Sequence, residues 1–236
     1  ELAWAVSDYP NKGFRFGGTL HSNGNILAPG QRPTYFWGNN HGSVEKVGEN
    51  YYVFGHRQTN CHECSRQGVA EWLNFENGRF FPAEMTSQGL YGKPLPMDVT
   101  YEAGIACVLY GKQGAVKTTQ TNRFSYPYIT QDGTDRENNP NQHVANIRNG
   151  TVIGYRYFDL SGAESVTVPL RGLAHGKLLI STEENGMPIA EIPISFASYQ
   201  ATARLNAVCT PSALFFRYEG IGHLDLLNIR INSKET

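Results

Sequence analysis

Short runs rich in β-branched and aromatic residues recur along the whole chain and are separated by glycine, asparagine, aspartate or proline turns. Examples are "YYVFGH", "TVIGYRYFDL" and "KLLIST", with "NG", "DG" and "GG" among the turns. Runs of this length and composition are typical of β-strands. No segment sustains the apolar spacing of three and four residues that a helix requires. The sequence therefore predicts an all-β protein whose 25 glycines serve tight turns.

A change of composition at residues 91–104, "YGKPLPMDVTYEAG", divides the chain into two predicted domains. Two prolines and two glycines interrupt the strand pattern there, as is usual at domain boundaries. Residues 1–95 have the strand–turn rhythm of about two four-stranded blades of a β-propeller, which is too few blades to close a ring. Residues 102–236 have a series of about eight strands and predict a β-sandwich.

The charge and hydropathy of the chain exclude two classes of partner. The 20 basic and 21 acidic side chains give a net charge of −1, so we expect no broad electropositive surface and no nucleic acid partner. No stretch approaches the ~18 apolar residues of a membrane span, so we expect no membrane insertion. The first residues, "ELAWAVSDYP", lack the basic start and apolar middle of a signal peptide.

Residues 56–71, "HRQTNCHECSRQGVAE", have the composition of a metal site. A structural zinc site normally takes four ligands from two separated pairs. Cys61 and Cys64 form one pair, whereas Cys107 and Cys209 stand alone in the second predicted domain, where a bridge between them is a further alternative. We therefore expect free thiols at "CHEC", and a Cys61–Cys64 disulfide or a zinc ion is the alternative.

Three segments of the first domain carry a family resemblance. "ELAWAVSDYPNKGFRFGGTLHS", "NNHGSVEKVGENYYVFGHRQTN" and "CSRQGVAE" resemble, in this order, the fourth and fifth blades of the five-bladed propeller of glycoside hydrolase family 43. This is the xylosidase and arabinofuranosidase family, and the resemblance covers residues 1 to about 95. Its members often carry a carbohydrate-binding-module-like sandwich behind the propeller, which "VANIRNGTVIGYRYFDL" and "GHLDLLNIRI" fit.

The resemblance implies a role for two residues of the first domain. His41 in "NNHGS" matches the histidine that holds a calcium ion, or an ordered water, beneath the sugar at the propeller axis. Arg66 in "SRQG" matches the arginine that orients the hydroxyls of the cleaved sugar and a catalytic carboxylate, as a planar guanidinium can do. The alternatives are a buried turn histidine bonded to backbone and a surface arginine paired with Glu63 or Glu71.

Aromatic side chains are further candidates for carbohydrate contacts. Trp37, just before "HGS", could stack on a sugar face or could pack between blades. The second domain has no tryptophan, so Tyr126, Tyr128 and Tyr199 are its candidate platforms, with core or interdomain packing as the alternative.

The family implied by the resemblance is an inverting glycosidase that acts on plant polysaccharide or oligosaccharide. Such enzymes use a general acid, a general base and a third carboxylate. The matching positions would all precede residue 1, so we expect no catalytic carboxylate in this chain and an upstream segment or companion chain that supplies them. The chain alone should be inactive. The alternative functions are a non-catalytic carbohydrate-binding or accessory protein and a metal-binding module centred on "CHEC".

Overall fold

The computed structural model describes residues 1–38, 40–134, 141–196, 199–206 and 210–234. It confirms the all-β prediction, because helical structure in these residues is limited to two 3-10 turns, Gly89–Tyr91 and Ala103–Ile105. No helix in these ranges is long and apolar enough to cross a bilayer.

Seventeen strands make up the described structure. Those of the first predicted domain are β1 (Leu2–Val6), β2 (Arg15–His21), β3 (Ser43–Val47), β4 (Asn50–Gln58), β5 (Arg66–Leu73), β6 (Phe75–Glu76) and β7 (Arg79–Phe80). Those of the second are β8 (Thr100–Glu102), β9 (Val108–Tyr110), β10 (Tyr128–Gln131), β11 (Gln142–Ile147), β12 (Val152–Phe158), β13 (Ala163–Ser181), β14 (Ala190–Ile194), β15 (Gln200–Arg204), β16 (Ser212–Leu226) and β17 (Asn228–Ser233).

The first domain consists of small antiparallel sheets. Strands β1 and β2 form a pair, β3, β4 and β5 form a three-stranded sheet, and β6 pairs with β7. These sheets have fewer strands than the predicted four-stranded blades. One reason is the long connection between β2 and β3, in which Pro29 and Pro33 cannot donate ladder hydrogen bonds. A small core of Leu20, Val53 and Leu73 joins the sheets.

The second domain is one network of antiparallel strands folded over a single core. The long strand β13 pairs with β16 over residues 170–181 and with β15 and β17 over residues 163–169. Buried and half-buried positions alternate in the first half of β13 and place Val166, Val168 and Leu170 in the core. The β-sandwich prediction agrees with this arrangement.

The two predicted domains share buried contacts, and the boundary between residues 95 and 102 stays a prediction. Tyr35, Met85 and Leu95 of the first segment belong to the core of the sandwich. The backbone N–H of Leu109 donates to Thr34 O at 2.7 Å, and that of Leu95 donates to Tyr157 O at 2.8 Å. These contacts attach the sandwich to the β2–β3 connection and to the segment that follows β7.

Candidate functional site

Strand pairing places two arginines of the segment "HRQTNCHECSRQGVAE", Arg57 and Arg66, on opposite faces of one sheet. Arg66 of β5 pairs with Gln58 of β4, and the neighbouring residue Gln67 pairs with Arg57. Because side chains alternate between faces and paired residues share a face, Arg66 lies on the face of His56 and Gln58. Arg57 lies on the other face.

Arg57 connects the sheet to the sandwich. Its side chain, only 3% exposed, donates to Gln67 Oε1 at 2.7 Å, to Gly104 O at 2.7 Å and to Ala106 O. Its guanidinium also lies 4.7 Å from the ring centroid of Tyr35. All five donors of an arginine are costly to bury without acceptors, so these carbonyls fix how the sheet meets the sandwich.

Arg66, in contrast, is half-buried and has few internal partners. Its Nη1 donates to the backbone carbonyl of Ser65 at 3.1 Å. The ion pairs of the described residues do not include Arg66: Glu63 pairs with Lys117, and Glu71 accepts from Thr86. The two carboxylates considered as surface partners of Arg66 are therefore engaged elsewhere. The guanidinium retains donors for a further carboxylate or for hydroxyl groups.

The "HGS" turn places His41 against this face of the sheet. The His41 and His56 rings meet edge to face with centroids 4.1 Å apart, and His41 is exposed rather than buried. Gly42 permits this approach, because a Cβ at this position would overlap the carbonyl of Phe54. The motif thus brings His41, His56 and Arg66 to one side of the sheet.

Beside these residues lies a group of polar side chains that we call the histidine cluster: His21, Asn23, Asn40, His41 and His56. Asn23 Nδ2 donates to His56 O at 2.8 Å, and Asn40 Nδ2 contacts His21 Nδ1 at 3.0 Å. Sequence reasoning identified only His41, since Asn40 and His21 lie 19 positions apart and meet only through the fold. The sequence signal that could have identified His21 is its position at the end of a predicted strand, in "GGTLHS".

Several atoms of the histidine cluster are buried without a partner among the described residues. They are His21 Nε2, Asn23 Oδ1, Asn40 Oδ1, His56 Nδ1 and His56 Nε2. A buried polar atom without a hydrogen bond costs about 1–3 kcal/mol. Such a concentration of unpartnered atoms fits a place that is completed by water, a ligand or another polypeptide segment.

Two imidazoles of the cluster have lowered pKa values. Burial lowers the pKa of His21 to about 4, and the charges of the amino terminus and Arg57 act in the same direction. Burial, and then His41 and Arg66, also lower the pKa of His56. His21 is therefore neutral at pH 7 and offers one donor and one acceptor, while Arg66 supplies positive charge on this face.

Trp37 lies on the connection between β2 and β3 with half of its surface exposed. A Cβ on Gly24 would stand 2.8 Å from Trp37 Cβ and 2.9 Å from Pro33 Cβ. The Cβ atom of Trp37 therefore packs closely against the backbone of Gly24. Its exposed ring is available for a ligand, and the sugar-stacking role stays a prediction.

No protein-family model matches the chain. The chain is 36% identical over 236 residues to a xylosidase/arabinosidase of Thermoclostridium stercorarium, and the match covers 96% of this chain and 50% of the relative. The chain thus spans about half the length of that curated relative.

One solved structure is similar to this chain over nearly its whole length. A glycoside hydrolase family 43 arabinoxylan arabinofuranohydrolase from Bacillus subtilis matches with a TM-score of 0.54 and 16% identity, over 98% of this chain and 47% of that one. The chain is therefore similar in fold to the half of that enzyme that it covers, and the likeness to a family 43-like segment followed by a carbohydrate-binding-module-like sandwich is one of fold. A module from Clostridium stercorarium, solved in complex with cellobiose, covers 61% of this chain and 99% of its own at a TM-score of 0.46 and 14% identity. The predicted resemblance and fold class are confirmed.

The "CHEC" loop of the family 43-like segment packs against the sandwich. The backbone N–H of Asn60 donates to Ile129 O at 2.7 Å, Glu63 pairs with Lys117, and the Cys61 thiol lies against the Tyr128 hydroxyl. Cys61 and Cys64 are free thiols. In the described part of the chain no group of three or more His, Cys, Asp or Glu side chains is placed to hold a metal ion. The loop is therefore a contact between the two domains.

The three candidate tyrosines of the sandwich have different environments. Tyr128 is half-buried beside Cys61, and burial raises its pKa to about 12, so it belongs to the domain junction. Tyr126 is half-buried, and Tyr199 is 73% exposed. Only Tyr199 among these three presents a largely open ring. Cys107 is a buried thiol whose Sγ contacts Gly154 O, and Cys209 lies outside the described residues.

Proposed function

We propose that the chain is the carboxyl-terminal part of an inverting glycoside hydrolase of the xylosidase or arabinofuranosidase type. Its substrate is plant polysaccharide or oligosaccharide, and its catalytic carboxylates come from an upstream segment or companion chain. The observation that carries the proposal is the half-buried Arg66, which faces the histidine cluster and has no carboxylate partner among the described residues.

The similarity to a longer relative supports an active site that is built from two segments. It is named a xylosidase/arabinosidase, and this chain spans half of its length. An inverting glycosidase needs two carboxylates about 6.5–9.5 Å apart across the sugar. The ion-pair pattern around Arg66 contains neither of them in the described residues. A complementary segment that brings carboxylates to this face accounts for both facts.

In the proposed mechanism the residues of this chain position the sugar and a catalytic carboxylate, and they do not transfer protons themselves. Arg66 donates to hydroxyls of the cleaved sugar and to one carboxylate, and its charge holds that carboxylate ionised. The imidazoles and amides of the histidine cluster hold ordered water or hydroxyl groups beneath the sugar. Trp37 stacks on the apolar face of a sugar ring.

We also propose that a calcium ion in this place contacts His41 through water. Calcium takes six to eight oxygen ligands. The cluster offers the unpartnered Asn23 Oδ1 and Asn40 Oδ1, imidazole nitrogens, and no carboxylate from the described residues. This donor set fits a hydrated ion better than a directly bound one. The ion would supply positive charge near the sugar hydroxyls.

Removal of calcium with a chelator should raise KM and leave the unfolding temperature of the chain nearly unchanged.

The test uses the longer protein that contains the upstream segment. Arg66→Ala should lower kcat/KM for an aryl arabinofuranoside or xyloside by about 10²-fold or more, the size of losing one preorganised charged donor. Arg66→Lys should recover little of it, because a single ammonium cannot replace the planar fork. Arg204→Ala, which removes an 84% exposed side chain on the sandwich, is the control and should leave kcat/KM unchanged. Equal activity of the Arg66 and Arg204 variants would refute the assignment.

A non-catalytic carbohydrate-binding protein is the second candidate, and the open ring of Tyr199 favours it. It predicts saturable binding of xylan that is lost in Tyr199→Ala, together with no hydrolysis by the longer protein. Hydrolysis by the longer protein decides for the enzyme.

A further inference from the structure

A second cleft lies away from the histidine cluster, between the β2–β3 connection and the sandwich. Its volume is about 450 Å³, which is within the range of pockets that bind small ligands. One wall is the loop of Gln31–Thr34, and the other is formed by the end of β9 with Lys112, by Arg156 of β12 and by Glu184. Residues of both domains therefore build it.

The lining of this junction cleft has an excess of positive charge. Arg32, Lys112 and Arg156 are the cations, and Glu184 is the one carboxylate among the described lining residues. Glu184 Oε1 accepts the hydroxyl of Tyr110 at 2.7 Å. Burial and this carboxylate both raise the Tyr110 pKa, so the phenol stays protonated and holds Glu184 in place.

Arg156 is the most constrained of the three cations. Its side chain is 12% exposed, its Nε lies 3.6 Å from Glu84 Oε1, and its guanidinium stands over the Phe215 ring. Its Nη1 is buried and has no hydrogen-bond partner among the described atoms. A guanidinium held in this way, with Nη1 as an unused donor, is suited to donate to a ligand oxygen.

A second buried atom without a partner lies in the same lining. Thr34 Oγ1 can donate and accept, and it is buried without a hydrogen bond. The amides of Asn25 and Asn185 also line the cleft. The cleft thus combines fixed cations with neutral acceptors and one carboxylate acceptor.

We propose that the junction cleft binds a uronic acid residue of the polysaccharide, with its carboxylate on Arg156 and its hydroxyls on Thr34 and Glu184. This inference rests on the proposed carbohydrate function and adds a second, acidic substrate site to it. A small phosphate or sulfate ion bound on Arg156 lacks the ring of neutral hydroxyl groups that could also reach Thr34 and Glu184. A neutral sugar leaves the Arg156 donor without an anionic acceptor. An acidic sugar uses both kinds of group.

The experiment measures binding by calorimetry with two probes, xylotriose that carries a glucuronic acid branch and unbranched xylotriose, on the longer protein. We expect the acidic probe to bind at least about tenfold more tightly and to weaken as salt is added, since part of the attraction is ionic. Arg156→Gln should weaken acidic-probe binding by at least about tenfold.

Because Arg156 also contacts Glu84, a second variant guards against a folding defect. Arg32→Gln combined with Lys112→Gln changes two exposed side chains and should weaken acidic-probe binding and reduce its salt dependence. Arg204→Gln is the matched control and should change neither quantity.

Three results would overturn the inference: equal affinity for the two probes, an unchanged affinity in the double variant, or full competition by inorganic phosphate at the same concentration. Hydrolysis of an uncharged aryl glycoside is measured in parallel. Hydrolysis without acidic-probe binding refutes the junction site alone, and acidic-probe binding without hydrolysis refutes the proposed enzyme alone.

Discussion

Arg57 and Arg66 are nine positions apart in one motif and have opposite surroundings. Strand alternation sends Arg57 into the domain junction, where backbone carbonyls use its donors. It leaves Arg66 on the face of the histidine cluster with donors to spare. Side chains alternate between the two faces along β4 and β5, so the position of each arginine in its strand decides whether it faces the sandwich or the histidine cluster.

Gly42 is the residue on which the placement of His41 depends. A side chain there would overlap the Phe54 carbonyl, so Gly42→Ala should shift the "HGS" turn. We expect a loss of about 1–3 kcal/mol in the free energy of unfolding, as for other backbone clashes. Denaturant unfolding checks it, with Gly48→Ala as a comparison at a position where a Cβ meets no atom within 4 Å but φ is +62°. A Gly42→Ala variant as stable as the natural chain would contradict the prediction.

Glu71 makes stability depend on pH. Burial raises its pKa from 4.5 to about 8, although hydrogen bonds from Thr86 and the charge of Arg57 act in the opposite direction. A carboxyl whose folded pKa is raised contributes fully below its unfolded pKa, and that contribution is lost as pH rises toward about 8. Between these values stability should fall by up to about 1.4 kcal/mol per pH unit.

The variant Glu71→Gln removes this titration. Its unfolding free energy between pH 5 and pH 8 should show a shallower decline than that of the natural chain. Glu76→Gln, an exposed change on the neighbouring β6, should keep the natural slope. Identical slopes for the Glu71 variant and the natural chain would show that Glu71 is ionised in the folded state throughout.

At the scale of elements, the junction depends on β4 and on the segment around the 3-10 turn Ala103–Ile105. Arg57→Ala removes the side-chain donor of Ala106 O and leaves Gly104 O with the longer hydrogen bond from Gln67 Nε2, at 3.3 Å. We expect a loss of about 2–4 kcal/mol in unfolding free energy, because buried groups become unpaired. Arg79→Ala, on the exposed strand β7, is the control and should cost less than about 0.5 kcal/mol. A loss no larger than that of the control would mean that the junction does not depend on Arg57.

Some of this architecture could be predicted from local sequence, and some could not. Alternation of apolar and polar residues in runs such as "SVTVPL" predicts the strands. The order of "HGS" and "SRQG" indicates the family likeness. The contact between the domains could not be predicted from local sequence. Charged residues such as Arg57 are rarely buried, and its hydrogen-bond partner Gly104 lies 47 positions later in the chain. The pairing of His21 with Asn40 likewise depends on how two separate strands meet. The "CHEC" spacing suggested metal chemistry, whereas tertiary contacts use that loop for packing.

At the scale of the whole molecule, the family 43-like segment presents apolar side chains to solvent. Phe14 and Phe16 are 62% and 76% exposed, and β1 and β2 form a sheet of only two strands. Two-stranded sheets are marginal in water, and open strand edges favour association. This surface is where the proposed complementary segment would pack.

Purified residues 1–236 should therefore run larger than one 26.2 kDa chain in light scattering after size exclusion. Phe14→Ser combined with Phe16→Ser should shift the population toward the monomer, and Met187→Ser, an 89% exposed change on the sandwich, should not. A monodisperse monomer with a cooperative melt would count against an unfilled propeller surface.

The most direct measurement is an experimental structure of the longer protein with bound arabinose or xylose. We predict sugar hydroxyls within hydrogen-bonding distance of the Arg66 guanidinium, and at least one carboxylate from outside this chain within about 4 Å of it. A sugar bound elsewhere, with Arg66 facing solvent, would contradict the account.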